Sequence, residues 1–148
     1  MMASEQTPLR VAAKYLSLSG TSTYHIEDET LHVEVEEIAN LRSTGNTSGT
    51  LSLEMWALSE PYSGGDFRGY QVGATEIGEL SGQHHLNNCR FTMPIRTPAE
   101  GQWYLVLMLR EWENGAYVTR DHISFPQPIK AQYKLVLSLD GLPAVYRP

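Results

Sequence analysis

Cysteine is almost absent from this chain of 148 residues, which contains Cys89 alone. A single thiol forms no intrachain disulfide and is too few for a cysteine-rich structural zinc site, so packing must hold the fold together. Long apolar runs are absent as well, because the longest, Trp103–Leu109, is seven residues and a membrane-spanning helix needs about 20. We therefore expect neither a transmembrane helix nor membrane insertion.

Basic residues are outnumbered by acidic ones. Eleven Lys and Arg residues against seventeen Asp and Glu give a formal net charge of −6. This balance repels a phosphate backbone, so we expect no nucleic-acid partner. Met1–Gln6 lacks the basic start and apolar stretch of a secretory signal, and the compartment stays open. Length and a hydrophobic content of 41% predict one domain over 9–148 after a flexible N-terminus at 1–8.

Two-residue alternation dominates the chain, and no long window carries a helical stripe. About nine short strands separated by turn signals predict an all-β fold, an immunoglobulin-like antiparallel β-sandwich of eight or nine strands. The longest apolar strand, Gln102–Glu113, is expected at the centre of a sheet with its leucines facing the core. The Asn114-Gly115 pair predicts a tight hairpin that returns through Tyr117–Phe125.

Other segments of the chain alternate more briefly. Within Thr30–Leu41 the alternation shifts phase at Glu37-Ile38, which predicts a β-bulge. Gly73 and Gly78 favour an edge position for the strand that contains them. Strands are expected at Val11–Leu18, Tyr24–Ile26, Thr30–Leu41, Thr50–Leu58, Tyr70–Leu80, Asn88–Ile95 and Gln132–Leu139.

Two stretches carry a family resemblance. In Glu29–Leu58 a hydrophobic strand ends in a turn that contains Asn, Gly and small residues, and a second strand follows. Further along the chain, Gly101-Gln102-Trp103 begins a central strand with a Gly-x-aromatic pattern. Over residues 14–126 the chain resembles the bacterial immunoglobulin-like modules related to cell adhesion. The resemblance implies a binding or spacer module without chemistry of its own. The chain departs from that pattern in its long Ser59–Leu80 region and its extra C-terminal strand.

The outer face of the predicted central sheet is the candidate binding surface. If Gln102–Glu113 pairs with Thr50–Leu58, six side chains share the side away from the core: Trp56, Leu58, Tyr104, Val106, Met108 and Trp112. An exposed patch of this kind marks a partner surface, with Trp and Tyr as anchors. The alternative is that Ser59–Leu80 or the C-terminal strand folds over the patch.

These residues lead to two predictions of a binding function. The first is a non-catalytic protein-interaction or structural module, which binds a protein partner or forms a homo-oligomer through the outer face. The second is a carbohydrate-binding module in which Trp56, Tyr104 and Trp112 stack on sugar rings, with Glu54 and Arg110 nearby.

A third alternative is a metal-dependent hydrolase that uses His84, His85 and Glu79. Neighbouring residues of a strand face opposite sides, so these histidines would have to lie in a loop. The spacing of His25, His32 and His122 matches no ligand pattern, and the sequence contains neither a Gly-x-Ser-x-Gly elbow nor a phosphate-binding glycine loop. We therefore expect no catalytic residues, no metal, no cofactor and no enzyme.

Two remaining features favour structural roles. Cys89 alternates with apolar residues, which predicts a buried structural thiol rather than a nucleophile. In the acidic run Glu27–Glu37, Glu34 and Glu36 predict a solvated strand face that discourages edge pairing. A calcium site at this run or at Asp66 would need an Asp-rich loop motif, which the sequence lacks.

Overall fold

A computed structural model describes residues 15–132, 134–137 and 143–146 of the chain. Antiparallel strands and their connections make up this part. The strands are β1 (Leu16–Glu27), β2 (Thr30–Asn40), β3 (Leu51–Leu58), β4 (Tyr70–Gly78), β5 (His84–Pro94), β6 (Gly101–Glu113), β7 (Ala116–Ser124), β8 (Ile129–Ala131), β9 (Lys134–Leu137) and β10 (Pro143–Tyr146). These residues form no α-helix, which confirms the all-β prediction. None of them lies in a helix long and apolar enough to cross a membrane.

Eight of the described strands form two sheets. One sheet has the order β1-β2-β5, and the other has the order β4-β3-β6-β7 with β8 paired to the start of β6. β9 and β10 pair with each other in a separate two-stranded sheet. Every pairing is antiparallel, and the two larger sheets form the predicted β-sandwich, with β6 between β3 and β7 at its centre.

The core lies between the two larger sheets. Leu105, Leu107 and Leu109 of β6 point inward, as expected, beside Leu53 and Met55 of β3. The three-stranded sheet contributes a facing set: Leu16, Leu18, Leu31, Val33, Val35 and Ile38. Since complete burial of one such side chain contributes about 1.5–3 kcal/mol, this apolar layer is the main source of stability.

The tight turn between β6 and β7 is as predicted. Asn114 and Gly115 have φ angles of 54° and 87°, and Glu113 pairs with Ala116 across the turn. Both turn residues thus adopt the positive φ that two-residue hairpin loops require. Asn and Gly tolerate this conformation better than other residues, and the pairing of β6 with β7 follows from it.

The start of the chain differs from its prediction. Two separate strands were expected at Val11–Leu18 and Tyr24–Ile26, but one long strand, β1, runs from Leu16 through both. Residues 11–14 lie outside the described residues. The strand continues through Ser19 and Gly20 because β2 offers an unbroken partner beside it. Of the expected strand Gln132–Leu139, the structure describes β9 alone.

The predicted bulge also takes a different form. The register of β1 and β2 shifts between Ser19 and Ser22, so the extra residue lies in β1 rather than at Glu37-Ile38. Gly20 adopts a φ of 74°, and the Glu36 carboxylate accepts a hydrogen bond of 2.9 Å from the Thr21 N–H. The phase shift in β2 is therefore the response of one strand to a bulge in its neighbour.

Contacts along the margins of the sandwich hold the two sheets together. Asp121 of β7 accepts a buried hydrogen bond of 2.8 Å from the backbone N–H of Leu18 in β1. On the other margin, the Arg96 N–H donates to the carbonyl of Val72 in β4 over 2.8 Å. The five-stranded sheet is therefore a fixed platform for the side chains on its outer face.

Candidate functional site

The predicted binding residues lie on the outer face of the five-stranded sheet. While the leucines of β6 enter the core, Val106 and Met108 belong to a second apolar cluster on the opposite side. β3 pairs with β6 so that Trp56 lies beside Val106, and Leu58 beside Tyr104. The pairing of these strands and the division of their faces are therefore as predicted.

Of the two alternatives, an exposed or a covered face, the structure shows the covered one for half of the predicted residues. Three of the six predicted residues are buried, with exposures of 5%, 1% and 0%: Leu58, Val106 and Met108. Tyr62 and Phe67 pack against these three side chains. Both belong to the connection between β3 and β4, residues 59–69, which we call the covering segment. Covering by the long Ser59–Leu80 region was the alternative that the sequence left open, and it removes apolar surface from water.

The other three predicted residues do not form one row. Trp112 is 47% exposed, and its ring meets Tyr117 edge to face, with centroids 5.1 Å apart. Trp56 and Tyr104 are half-buried. Of these three, Trp56 alone lines the cleft described below. The predicted sugar platform of Trp56, Tyr104 and Trp112 is therefore wrong as a set.

Glycines shape the covering segment. Gly64 and Gly65 have φ angles of 99° and 77°, and the Tyr62 hydroxyl donates to the Gly65 carbonyl over 2.8 Å. A Cβ atom at Gly69 would lie 2.3 Å from the Ala57 carbonyl oxygen, so no larger residue fits where the segment rejoins the sheet. The glycine-rich sequence thus folds the segment back onto β3.

An open cleft of about 720 Å³ lies where the covering segment meets β6 and β7. Its aromatic lining comes from Trp56, Tyr62, Phe67 and Tyr117. The Phe67 ring stands edge to face against both neighbours, with centroids 4.8 Å from Trp56 and 5.8 Å from Tyr62. Arg110 is among the charged residues of the lining. The cleft therefore combines flat apolar surfaces with polar groups, as small-molecule sites do.

A buried carboxylate fixes one wall of the cleft. Glu54 is 3% exposed and accepts hydrogen bonds from Ser52 Oγ (2.8 Å) and Trp56 Nε1 (2.9 Å). Arg110 Nη1 donates to the same carboxylate over 3.2 Å. A buried charge with this many donors is satisfied, and its bonds restrict the Trp56 ring to one orientation.

The same network positions the Arg110 guanidinium. Its Nε donates to Thr119 Oγ1 over 3.0 Å, and Nη2 donates to the Tyr117 carbonyl over 3.3 Å. The guanidinium carbon also lies 5.2 Å from the centroid of the Phe67 ring, within cation–π range. Arg110 is thus held by strands and covering segment together before any ligand arrives.

Sequence reasoning found part of this site. It named Glu54 and Arg110 as polar neighbours of an aromatic row, but it missed Tyr62, Phe67 and Tyr117. The available signal was the presence of two aromatic residues in a connection otherwise made of small and polar residues. Such residues in a loop need a surface to pack on, and the outer face of the sheet provides one.

The structure does not assemble the predicted hydrolase site. His84 and His85 open β5, so their side chains leave on opposite faces of a strand, and both are exposed. A ring nitrogen of His84 lies 2.9 Å from the Gly82 carbonyl oxygen. Within the described residues, the side chains close enough to share an ion do not include these two histidines or Glu79. The hydrolase alternative built on them is therefore wrong.

Cys89 and the acidic strand face match their structural interpretations in part. Cys89 packs against the core but is half-buried rather than buried. Burial raises the pKa of its thiol, which lowers the thiolate fraction that a nucleophile needs. Glu34 and Glu36 are exposed on β2, as predicted, and Glu34 lies 3.5 Å from Arg90. The predicted role at a sheet edge is wrong, because β2 pairs with β1 on one side and with β5 on the other. Asp66 lies on the lining of the cleft.

Comparisons with known proteins identify no family for this chain. No family model and no curated protein matches the chain. One solved structure that is similar comes from Bacteroides fragilis and is described as a "putative beta-galactosidase", with 16% sequence identity and a TM-score of 0.36. The match covers 83% of this chain and 18% of that chain, so this chain spans less than a fifth of its neighbour. The resemblance to adhesion-related immunoglobulin-like modules stays a prediction.

Proposed function

We propose that this chain is a non-catalytic carbohydrate-binding module whose ligand occupies the cleft beside the covering segment. The observation that carries the proposal is the aromatic lining next to a fixed guanidinium–carboxylate pair, Arg110 and Glu54. A sugar presents apolar C–H faces and a rim of hydroxyl groups. Aromatic rings bury the apolar C–H faces, and ionic side chains form strong hydrogen bonds with the hydroxyl groups.

The size of the cleft supports a small ligand. Its volume of about 720 Å³ falls within the roughly 300–1,000 Å³ typical of small-molecule sites. The covering segment forms one wall and β7 contributes to the other, so an oligosaccharide would run between Phe67 and Tyr117. A protein partner would instead need a broad apolar surface, and the burial of Val106 and Met108 removes the one that the sequence offered.

Arg110 has the donors for sugar hydroxyls. A guanidinium carries five N–H bonds, and the hydrogen bonds to Thr119, Glu54 and Tyr117 engage three of them. The remaining two support the role of Arg110 as a donor to ligand oxygens. Since the network holds the guanidinium in place, little side-chain entropy is lost on binding.

The carboxylates of the cleft favour binding over hydrolysis. Glycoside hydrolysis uses two carboxyl groups that flank the scissile bond. Asp66 lies on the lining, whereas Glu54 is buried behind Trp56 and Arg110, where it orients side chains rather than reaching a glycosidic oxygen. This arrangement supports a module that holds a glycan without cleaving it.

The test is a titration of the protein with a panel of soluble neutral and sulfated oligosaccharides. Tryptophan fluorescence is the readout, because the Trp56 ring lines the cleft. We expect saturable binding of a neutral oligosaccharide, since the net charge of −6 repels sulfated ones. Tyr117→Ala should weaken that binding at least about tenfold, the cost of losing one aromatic anchor.

A matched control distinguishes binding in the cleft from nonspecific binding to the protein surface. Tyr15→Ala removes a tyrosine that is 59% exposed and lies outside the lining, so it should bind like the wild type. Binding that both variants lose equally would contradict the proposal. A panel in which no oligosaccharide binds would also contradict it. A protein dimer that Trp112→Ala dissociates would contradict it too, and would support protein interaction through that exposed side chain.

A further inference from the structure

The tip of the hairpin between β1 and β2 brings together two histidines that their spacing in the sequence leaves apart. Asp28 and Glu29 form the turn, with φ angles of 52° and 61°, and Glu27 pairs with Thr30 across it. Two positive φ angles are typical of the type I′ loop that joins paired strands directly. Counting back from this turn places His25 directly opposite His32.

Both histidines and one carboxylate face away from the core. Tyr24 packs against the core and meets Phe125 edge to face at 4.8 Å, so the next side chain, His25, points outward, as does Glu27 two residues on. The imidazole rings of His25 and His32 are stacked, with centroids 4.5 Å apart and planes 8° from parallel. Cross-strand neighbours on one face are close enough for such contact.

We propose that His25, Glu27 and His32 form a binding site for a divalent transition-metal ion of the Zn²⁺ type, independent of the cleft. One ligand atom from each of the three side chains lies within 4.8 Å of the others, and His25 Nε2 is 3.7 Å from Glu27 Oε1. Zn–N distances near 2.0–2.1 Å imply about 3.3 Å between tetrahedral ligands. The exposed side chains of His25 and Glu27 reach this separation by rotating about their side-chain bonds.

The donor set selects the class of ion. Two imidazoles and a carboxylate suit zinc and its neighbours in the transition series, whereas Ca²⁺ and Mg²⁺ require oxygen ligands throughout. Glu34, which follows His32 on the same face of β2, lies 3.5 Å from Arg90 and is engaged there. Three protein ligands leave a fourth tetrahedral position for water, so the site would be open to solvent.

Metal binding should also stabilise the hairpin. An ion held by side chains of β1 and β2 binds the folded pair and not the unfolded chain, so it raises the midpoint of thermal unfolding. The imidazoles must be deprotonated to ligate, and the ion displaces any proton they carry. Both effects give readouts that do not depend on a biological activity.

Isothermal titration of untagged, metal-free protein with zinc chloride tests the site. We expect one saturable site per chain and a zinc-dependent rise in the thermal midpoint. Each of His25→Ala, His32→Ala and Glu27→Gln should weaken binding at least about tenfold, since losing even an indirect support of a ligand costs 10–100-fold. His85→Ala removes an exposed histidine outside the group and should leave binding unchanged.

Two outcomes would overturn the proposal. One is a wild-type protein with no saturable zinc binding. The other is a double variant, His25→Ala with His32→Ala, that binds zinc as tightly as the wild type. Because His25 and Glu27 are exposed and His32 is half-buried, the variants should fold, and their thermal midpoints without zinc verify this.

Discussion

Met108→Arg is expected to abolish stable folding. The Met108 side chain is 0% exposed and enclosed by β3, β7 and the covering segment. A guanidinium there would be buried beside Glu54, whose carboxylate already accepts hydrogen bonds from Ser52, Trp56 and Arg110. Burial of a further charge together with overpacking belongs to the mechanisms that cost about 4–5 kcal/mol or more, a large part of the stability of a domain. Urea denaturation and near-ultraviolet circular dichroism would measure the loss.

The matched control is Trp112→Arg on the same face of β6. Trp112 is 47% exposed, so the new charge stays in water and should change the free energy of unfolding by no more than about 1 kcal/mol. If Met108→Arg were as stable as Trp112→Arg, the covering segment would not seal this face, and the outer face would again be available for docking.

Glu111→Gln is expected to remove a pH-dependent part of the stability. The Glu111 carboxylate is 4% exposed and accepts four hydrogen bonds. The two terminal nitrogens of Arg42 donate over 2.9 and 2.8 Å, and Arg120 Nε and the Gly49 N–H each donate over 2.8 Å. These bonds, led by that of Arg42, lower the pKa of the carboxyl from 4.5 to about 2. In the window between these values the unfolded chain binds the proton more tightly than the folded protein does.

The sign of the effect follows from this difference. The contribution is fully present above about pH 4.5 and is lost as the pH falls towards 2; it amounts to about 3 kcal/mol. Urea denaturation from pH 7 to pH 3 would measure it, with Glu60→Gln, at an exposed site, as the control. Glu111→Gln should be the less stable protein at pH 7 and should approach the wild type at low pH. A constant gap between them would contradict the assigned pKa.

Much of the sandwich could be predicted because its signals are local. The leucines of β6 repeat every second residue, and this period alone places them on one face of a strand. Asn114-Gly115 identifies its turn by the backbone angles that those residues tolerate. Neither inference needs knowledge of distant parts of the chain, and the structure confirms both.

The rest of the candidate site could not be predicted because it depends on long-range packing. Whether Met108 is exposed depends on where Tyr62 and Phe67 pack. The glycine-rich covering segment has no periodicity from which its position on the sheet could be predicted. The sequence places a turn within Glu27-Asp28-Glu29, but the pairing of His25 with His32 requires that Asp28 and Glu29 be its two central residues. One residue of register would separate the two histidines.

The binding role of the cleft is the central claim, and nuclear magnetic resonance of isotope-labelled protein tests it most directly. In a titration with the tightest-binding neutral oligosaccharide, we expect the largest shifts at the Trp56 indole N–H, at Gly65 and at Arg110 and Tyr117. These groups line one cleft between the covering segment and the sheet. Shifts confined to the β1-β2-β5 sheet, or no shifts with any oligosaccharide, would contradict the account.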